Sequence, residues 1–335
     1  NEEPQRFIVP GINPDELKRA AKDIRNYLLT SVRRGDDSFM QQAQLLHRAL
    51  VKPVEQTLQR ANIDTVVYSM NSGLRMLPLA ALHDGEQYLV EKYSVGMVPS
   101  LSLIDAQFDR AIDASRVLAM GASSFDSLSP LPGVPVEVDL IRSRWPGATF
   151  LNEEFTLDTL IKERSQTPYE LVHLATHAEF KSGDVNNSYI QLWDSKLRLG
   201  ELSQLGWDSP TVDLLVLSAC STAVGSREAE MGFAGLAIGA GVRSAMASIW
   251  SVSDLGTLAL MGEFYSQLDA QPIKAEALRS AQLSMLNQQT QIVDGSLATP
   301  SGEKIPLPED LTEGNLTDLS HPYYWSGFTM IGSPW

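Results

Sequence analysis

Residues 170–177 read Glu-Leu-Val-His-Leu-Ala-Thr-His, and residues 213–220 read Asp-Leu-Leu-Val-Leu-Ser-Ala-Cys; these two stretches decide the fold. Each is apolar through several consecutive positions, as strands are when both faces of their sheet are covered. Each ends on a side chain that can do chemistry, His177 in the first and Cys220 in the second. Because ligands bind at the carboxyl ends of strands in doubly wound sheets, we expect these two side chains to meet at one sheet edge.

Helical and strand patterns alternate through the rest of the chain. A helix is predicted over 14–30, where Asn13 can cap the first turn and Pro14 fits its first position. A second helix is predicted over 38–60, with a kink or a break at Pro53. Further helices are predicted at 136–144, 156–165, 231–240, 254–268 and 273–288, and strands at 65–69, 88–90, 93–97, 116–120, 148–151, 242–250 and 328–331. This alternation predicts an α/β fold with a doubly wound, mainly parallel sheet flanked by helices.

The length of 335 residues suggests two units of about 150 residues each. We expect an N-terminal, largely helical region over 1–110 and a catalytic unit over 111–335. Residues 287–320 are polar and contain Gly, Pro, Asp and Glu throughout, so a long insert is predicted there, of the kind that is either functional or disordered. The sequence begins with Asn1 rather than Met, and we expect it to be part of a longer polypeptide.

Composition and charge exclude several classes of function. The net charge is −15 and the Arg and Lys residues are scattered, which argues against binding to nucleic acid, whose phosphates require clustered cations. No stretch approaches the roughly 20 apolar residues that cross a bilayer, so no membrane partner is expected. The single cysteine cannot form an internal disulfide and fits a reducing compartment. We therefore expect a cytoplasmic protein.

A cysteine and a histidine at adjacent strand ends can form a nucleophile and its base. A thiol attacks as the thiolate, and a neighbouring imidazole can take its proton. Backbone N–H groups of Cys220 and Ala178 are then candidates for holding the oxyanion that develops on the substrate. The alternative from residues alone is that Cys220 merely packs in the core, as most buried free cysteines do.

Four segments together carry a resemblance to a known family: His173–Phe180, Leu217–Thr222, Ala247–Asp254 and His321–Phe328. With upstream segments such as Leu77–Leu82, the sequence resembles the CHAT domain family over roughly residues 60–335. That family belongs to the caspase and separase group of cysteine peptidases. The resemblance implies a caspase-like fold with the catalytic dyad at His177 and Cys220, and no cofactor.

The resemblance has further implications for organisation and activity. A degenerate caspase-like unit often precedes the active one, which would suit residues 1–110, and TPR repeats commonly lie upstream. Such peptidases act on protein or peptide substrates in regulated signalling, and an activating protein partner is expected. The sequence departs from the pattern at two positions. Caspases carry Gly where Ala178 stands, and the residue after the cysteine is often acidic where Ser221 stands.

Resemblance to separases also suggests which bond is cut. Separases prefer Arg, held by acidic side chains, and Asp254 resembles a separase position that could line the first specificity pocket. A carboxylate there would pair with a guanidinium in two parallel hydrogen bonds. The alternative role for Asp254 is a helix cap. Asp213 and Glu179 are the weaker candidates for substrate binding.

Two other functions stay open from the sequence. The first is a CHAT module without catalytic activity that serves as an interaction scaffold. The second is a metal hydrolase that uses His173 and His177, but histidine pairs at this spacing bind zinc on a helix. The run here is strand-like and would set the two about 13 Å apart, so His173 is predicted to lie in the core. The preferred prediction is a cysteine endopeptidase that forms an acyl-enzyme and cuts after a basic residue.

Overall fold

The computed structural model describes residues 4–7, 9, 13–70, 73–103, 115–180, 185–218, 221–222, 232–271, 273–312 and 317–335. The helices are α1 Pro14–Arg34, α2 Met40–Leu50, α3 Glu55–Arg60, α4 Leu89–Lys92, α5 Val134–Arg144, α6 Leu157–Gln166, α7 Gly232–Gly239, α8 Asp254–Ala270, α9 Lys274–Leu286, α10 Glu309–Thr312 and α11 Pro322–Trp325. The strands are β1 Thr65–Tyr68, β2 Ser94–Met97, β3 Val117–Gly121, β4 Gly147–Leu151, β5 Leu171–Ala175, β6 Ala178–Phe180, β7 Tyr189–Gln191, β8 Lys196–Arg198, β9 Leu214–Leu217, β10 Ser221–Thr222, β11 Ser244–Ser248, β12 Gln291–Val293, β13 Ser296–Ala298, β14 Lys304–Pro306 and β15 Phe328–Gly332.

A mainly parallel sheet forms the centre of the fold. In the part of the chain that the structure describes, this sheet has eight strands in the order β1-β2-β15-β11-β9-β5-β3-β4. Neighbouring strands are parallel, except that β15 runs antiparallel to β11. The sequence prediction of a mainly parallel α/β sheet is confirmed.

Alternating side chains of the central strands enter two separate cores. In β5, Leu171 and Ala175 face the core that contains α5, α8 and α9, while Val172 and Leu174 face the core on the opposite side, which includes Leu160 of α6. Both faces are therefore covered by other elements, which explains why the strands read as continuous apolar runs. The carboxyl ends of β3, β5, β9 and β11 are left as the edge where a site can form.

The N-terminal region is part of the same sheet. Strand β2 pairs in parallel with β15, at the C-terminal end of the chain, and one core extends from Ile24 of α1 to Met330 of β15. The predicted unit boundary at 110/111 falls outside the described residues. On either side of it, the two parts of the chain share hydrogen bonds and a core.

Helix starts and breaks follow the local signals. Asn13 caps α1, since its side chain accepts a hydrogen bond of 2.7 Å from the Glu16 N–H. The segment predicted as one kinked helix is divided into α2 and α3, with Pro53 in the break between them. A proline removes a backbone donor and clashes with the preceding turn, which accounts for the interruption.

Two segments differ from the sequence prediction. Tyr88–Val90 was expected to be a strand, but Leu89 begins the short helix α4, and Glu91 accepts from the Tyr88 N–H. The insert at 287–320 was expected to lack regular structure, but it contains the antiparallel strands β12, β13 and β14. Their residues Ile292, Leu297 and Ile305 enter the main core, so three apolar side chains at wide spacing anchor an otherwise polar segment.

Among the residues described, no helix is both long and apolar enough to cross a membrane.

Candidate active site

Strand pairing brings the chain around Cys220 alongside His177. Strands β5 and β9 are parallel neighbours, and Ser218 N–H still donates to Leu174 O at 3.1 Å beyond the end of β9. Farther along, β6 and β10 are parallel neighbours, with Glu179 opposite Ser221. Cys220 itself lies outside the described residues. The described residues on either side of it pair with the residues that flank His177.

A second, small sheet fixes the main chain at His177. Its strands, among the residues described, follow the order β10-β6-β7-β8. His177 O accepts a hydrogen bond of 2.8 Å from Gln191 N–H, and the Thr176 hydroxyl donates to Gln191 O at 2.7 Å. Strand β7 therefore restrains the two residues at which the main sheet passes into the small one.

The imidazole of His177 is oriented by the loop that follows β3. Its Nε2 lies 2.8 Å from Ser129 O, and its ring packs on Phe125 with 4.8 Å between centroids. A carbonyl oxygen only accepts, so Nε2 carries the hydrogen and, in the neutral ring, Nδ1 holds the free lone pair. The loop thus selects the tautomer in which Nδ1 is the basic atom, as second partners of catalytic histidines commonly do.

The same loop also binds the carboxylate of Asp254. Gly133, where the loop enters α5, donates its N–H to Asp254 Oδ2 at 2.8 Å. A Cβ at Gly133 would lie only 2.9 Å from Asp254 Oδ1, so glycine permits this close approach. The loop from Ala122 to Gly133 therefore contacts both predicted site residues, and His177 and Asp254 lie at the same edge of the sheet.

Asp254 is not the cap of its helix. The side chain of Ser253 takes that role and accepts from Gly256 N–H at 3.3 Å. Burial raises the pKa of Asp254 to about 6, and the negative charge of Glu137 acts in the same direction, while the hydrogen bond from Gly133 opposes both. The carboxyl group is thus half-buried and changes charge near neutral pH.

Ala178 and Glu179 continue directly from His177 into β6. Ala178 forms part of an extended strand, so an L-residue fits the position where caspases carry glycine. Ala178 is paired with Ile190 of β7, and a hydrogen bond joins the residues next to this pair, His177 and Gln191, so Ala178 occupies a non-hydrogen-bonded position. In an antiparallel pair, such a position directs its N–H away from the partner strand, here toward β10. Glu179 is half-buried and lies opposite Ser221.

Asp213 is not brought to this edge. It precedes the first residue of β9, whereas His177 follows the last residue of the parallel neighbour β5. Its carboxylate lies 3.4 Å from Arg243 Nη1, and its charge also acts on Lys274. The structure therefore does not bring Asp213 and His177 together, because the amino ends and the carboxyl ends of parallel strands lie at opposite edges of the sheet.

His173 lies inside the protein, as predicted. Its Nε2 is 2.9 Å from Glu137 Oε1 and its Nδ1 is 3.1 Å from the Tyr265 hydroxyl. Both ring nitrogens thus face side chains of other elements rather than His177. This arrangement does not support a zinc pair of His173 and His177.

One group of metal-ligating atoms occurs elsewhere in the described part of the chain. Donor atoms of His47, Glu55 and Asp84 lie within 4.8 Å of one another. The Lys92 ammonium lies among them, 2.9 Å from Glu55 and 2.6 Å from Asp84. This lysine supplies to Glu55 and Asp84 the positive charge that a metal ion would bring.

The sequence analysis missed the role of the loop from Ala122 to Gly133. The segment between the predicted strand at 116–120 and the predicted helix at 136–144 is rich in Ser, Pro and Gly, so the sequence indicates only a connecting loop there. In the structure this loop contacts the His177 ring and binds Asp254. A signal was available, because the loop follows the carboxyl end of a buried strand, as His177 does. The side-chain composition gave no reason to expect its backbone N–H and C=O groups to be the functional atoms.

The family model described as "CHAT domain" matches residues 41–333. The chain belongs to the CHAT domain family, and the prediction made from the sequence motifs is confirmed. None of the curated proteins compared with the chain matched it.

Three solved structures match the chain at low sequence identity. The separase–securin complex of Saccharomyces cerevisiae matches at 12% identity and a TM-score of 0.50, over 97% of this chain and 23% of that chain. The Arg-specific cysteine proteinase gingipain R matches at 11% identity and a TM-score of 0.48, over 95% of this chain and 75% of that one. The complex of Porphyromonas gingivalis RgpB pro- and mature domains matches at 12% and 0.48, over 95% and 77%.

The likeness to separase shows the fold alone, a caspase-like α/β sheet flanked by helices. This chain spans about a quarter of the separase chain that it matches, at 23%.

Proposed function

We propose that this chain is a cysteine endopeptidase in which Cys220 is the nucleophile and His177 is the base. The observation that carries the proposal is the hydrogen bond of 2.8 Å between His177 Nε2 and Ser129 O. This hydrogen bond leaves Nδ1 as the basic atom of the His177 ring. The strands before and after Cys220 pair with the strands before and after His177. A histidine that only packed in the core would not need a fixed tautomer at the carboxyl edge of a parallel sheet.

The reaction follows from these roles. His177 Nδ1 takes the thiol proton of Cys220, and the sulfur attacks the carbonyl carbon of the scissile peptide bond. The N–H groups of Ala178 and Cys220 hold the oxyanion, and the direction of the Ala178 N–H toward β10 supports that role. The imidazolium then gives its proton to the leaving amine, which departs and leaves a thioester. Water, deprotonated by His177, cleaves the thioester and restores the thiol.

Asp254 is the residue that we assign to the specificity pocket. Its carboxylate lies at the same edge as His177, is half-buried, and is held by the Gly133 N–H through one oxygen. A guanidinium that reaches a desolvated carboxylate gains more than it would in water, and its planar fork fits two oxygens. We therefore propose cleavage after a basic residue. Glu179, two residues past His177, is retained as a second acidic contact, and Asp213 is not.

A regulated role with protein partners is part of the proposal. The net charge of −15 favours basic partners and substrates through long-range attraction. The separase chain with the shared fold is described in complex with another protein, securin. We propose that this chain acts in the cytoplasm on protein substrates, that it follows TPR repeats in a longer protein, and that a partner controls its activity.

Thiol labelling tests the dyad directly, because the chain contains one cysteine. We expect iodoacetamide to modify Cys220 rapidly near neutral pH and His177→Ala to slow it about tenfold, since an unassisted thiol is only a few per cent ionised there. His83→Ala, a histidine that packs on Tyr88 away from this edge, is the matched control and should keep the wild-type rate. Equal labelling rates in wild type and His177→Ala would contradict the dyad and favour the silent scaffold.

Cleavage is tested with a positional-scanning peptide library. Wild type should cut after Arg and Lys, and Cys220→Ala should cut nothing. The peptidase proposal would be contradicted if the wild-type protein cut no peptide in the library, with or without candidate partner proteins.

A further inference from the structure

An aromatic side chain lies directly against the ring of the candidate base. The ring centroids of Phe125 and His177 are 4.8 Å apart, and the two ring planes are inclined at 57°. Aromatic rings at this separation are in van der Waals contact. The proposed reaction uses the His177 ring but gives Phe125 no role, so the contact requires an explanation of its own.

The loop that carries Phe125 is closed at its base and fixed to the sheet. Leu131 N–H donates to Ser123 O at 2.8 Å, which joins the two ends of the segment between them. Both the N–H and the hydroxyl of Ser123 donate to Asn152 Oδ1, at 2.9 and 3.2 Å. Asn152 directly follows β4, so the main sheet anchors the start of the loop. Phe125 is therefore held at a defined place beside His177.

The Phe125 side chain is only half-buried. Its inner part packs on apolar residues of both cores of the protein. The part that stays exposed lies at the carboxyl edge of the sheet, next to a histidine that is itself half-buried. An apolar surface that is held in place and left open beside a reactive side chain favours contact with an apolar group of a ligand.

The chemistry of the proposed reaction brings one part of the substrate to this point. His177 must give its proton to the leaving amine, and that transfer requires about 3 Å between the ring nitrogen and the amine nitrogen. The leaving nitrogen belongs to the residue after the scissile bond, and the Cα of that residue is only about 1.5 Å farther along the chain. Its side chain therefore emerges beside the His177 ring, whereas the side chain before the bond is the one assigned to Asp254.

We propose that Phe125 is a specificity-determining residue, whose exposed ring surface receives an apolar side chain from the residue that follows the scissile bond. The preferred substrate is then a protein segment in which a basic residue is followed directly by an apolar residue of the size of leucine. A charged side chain there would lose hydration against the phenyl ring and gain no hydrogen bond from it. This inference rests on the proposed function and adds to it the residue on the other side of the cleaved bond.

The first test is a series of peptides of one sequence, cut after arginine, in which the next residue is Ala, Leu or Asp. Wild type should cut the Leu peptide with a kcat/KM about tenfold higher than the Ala peptide, because partial burial of the larger apolar side chain gives a factor of this size. The Asp peptide should not exceed the Ala peptide. Equal values for the Leu and Ala peptides overturn the inference.

A variant separates contact with substrate from a merely structural role. In Phe125→Ala the preference for Leu over Ala should fall to about twofold or less, whatever the absolute rates become, and Phe125→Leu should retain most of it. If the ring only braces His177, Phe125→Ala lowers both values by the same factor, and that result overturns the inference. Ile161→Ala is the matched control, since it removes another exposed apolar side chain, on α6, and should keep the wild-type preference.

A binding measurement does not depend on cleavage. The Cys220→Ala protein cannot form the thioester and so holds the peptide uncut. With 4-fluorophenylalanine at the ten phenylalanine positions, the fluorine resonance of Phe125 is assigned with Phe125→Leu. Saturation with the Leu peptide should shift this resonance clearly farther than saturation with the Ala peptide. Equal shifts, or no shift with either peptide, overturn the inference even where Phe125→Ala fails to fold.

The outcomes distinguish this inference from the proposed function. A wild-type protein that cuts after arginine whatever residue follows loses only this inference. If wild type cuts nothing and the Cys220→Ala protein binds no arginine peptide, the proposed function fails and this inference fails with it. A protein that cuts nothing but shows the Leu-dependent shift loses the catalytic proposal and keeps Phe125 as an apolar contact for a bound peptide.

Discussion

At the scale of single residues, the candidate site depends on which atoms of His177 and Asp254 remain available after each side chain has made its hydrogen bond. Nε2 of His177 donates to a backbone carbonyl, so Nδ1 keeps the lone pair of the neutral ring. Asp254 gives one oxygen to the Gly133 N–H, while Ser253 caps the helix in its place. An acidic residue at a helix start is usually explained by capping. Here the cap is already supplied, so the carboxylate is available for another role.

The charge of Asp254 predicts the pH dependence of specificity. Its pKa of about 6 lies above the usual value, so the carboxylate forms as the pH rises through about 6. We expect the ratio of kcat/KM for arginine peptides to kcat/KM for peptides with a neutral residue at that position to rise across that range, because any pH dependence of the Cys220–His177 pair affects both substrates and cancels in the ratio. Asp254→Asn should lower the arginine value by about tenfold or more and abolish the rise, since a buried charge-assisted pair contributes about 1.5–3 kcal/mol. Kinetics at pH 5 and 7.5 measure both effects.

Asp213→Asn is the control for this prediction. It removes a carboxylate at the opposite edge of the sheet, where Arg243 lies 3.4 Å away. Its arginine-to-neutral ratio should equal that of wild type. A ratio that falls in Asp213→Asn as far as in Asp254→Asn would contradict the assignment of the pocket.

At the scale of elements, helix α5 and the loop before it act as one unit. The loop orients His177, its last residue binds Asp254, and the next turn carries Glu137. The far end of α5 carries Arg144, which forms an ion pair with Glu303 of the insert. The insert therefore packs at the end of α5 that is remote from Asp254, and this position favours a structural role for β12–β14 over a lid.

The close approach between Gly133 of the loop and Asp254 of α8 can be tested by substitution. Its backbone angles are helical, so alanine is permitted by conformation, but the added Cβ would lie 2.9 Å from Asp254 Oδ1. We expect Gly133→Ala to destabilise the protein by about 1–3 kcal/mol, as overpacking does, and to raise KM for arginine peptides. Denaturant unfolding and steady-state kinetics measure the two effects.

A double variant tests whether the close approach to Asp254 causes this loss of stability. In Gly133→Ala with Asp254→Ala, the opposing carboxylate is gone, and most of the lost stability should return. Gly239→Ala, where a Cβ would meet nothing within 4 Å, is the matched control and should not lose stability. A double variant that is no more stable than Gly133→Ala would show that the close approach to Asp254 is not the cause.

At the scale of the whole molecule, the two parts of the chain on either side of 104–114 form one sheet. Strand β2 pairs with β15, and α9 packs on β2. The last strand of the chain thus lies between β2 from the N-terminal region and β11 from the region that carries the site. Edge strands left unpaired expose backbone groups and apolar side chains, so neither part has a complete structure alone.

Expression of the chain as two pieces tests whether its two parts fold as one unit. Residues 1–103 and 115–335, produced together, should purify as a 1:1 complex. The 115–335 piece alone should aggregate or show a lower midpoint of unfolding, because β15 loses β2, one of its two partner strands, and the core loses α1, α2 and α4. Size-exclusion chromatography and thermal unfolding are the measurements. A stable, monomeric 115–335 piece would instead support two independent units.

The strands of the central sheet, the family and the candidate residues His177 and Cys220 could be predicted from the sequence alone. Continuous apolar runs identify strands buried on both faces, and motif spacing is a property of the chain, so both can be read without coordinates. Helix α4 and strands β12–β14 escaped prediction because short elements take their conformation from neighbours more than from local preference.

Which side chains contact one another depends on the tertiary fold. Strand order and helix placement determine at which edge of the sheet Asp213 lies, which residue binds Asp254 and which side chains contact His173. Residues 41 positions apart in sequence, such as His177 and Ser218, lie near one another only after β5 and β9 pair. The atoms that select the tautomer of His177 belong to the backbone, which every residue carries, and sequence therefore cannot distinguish them.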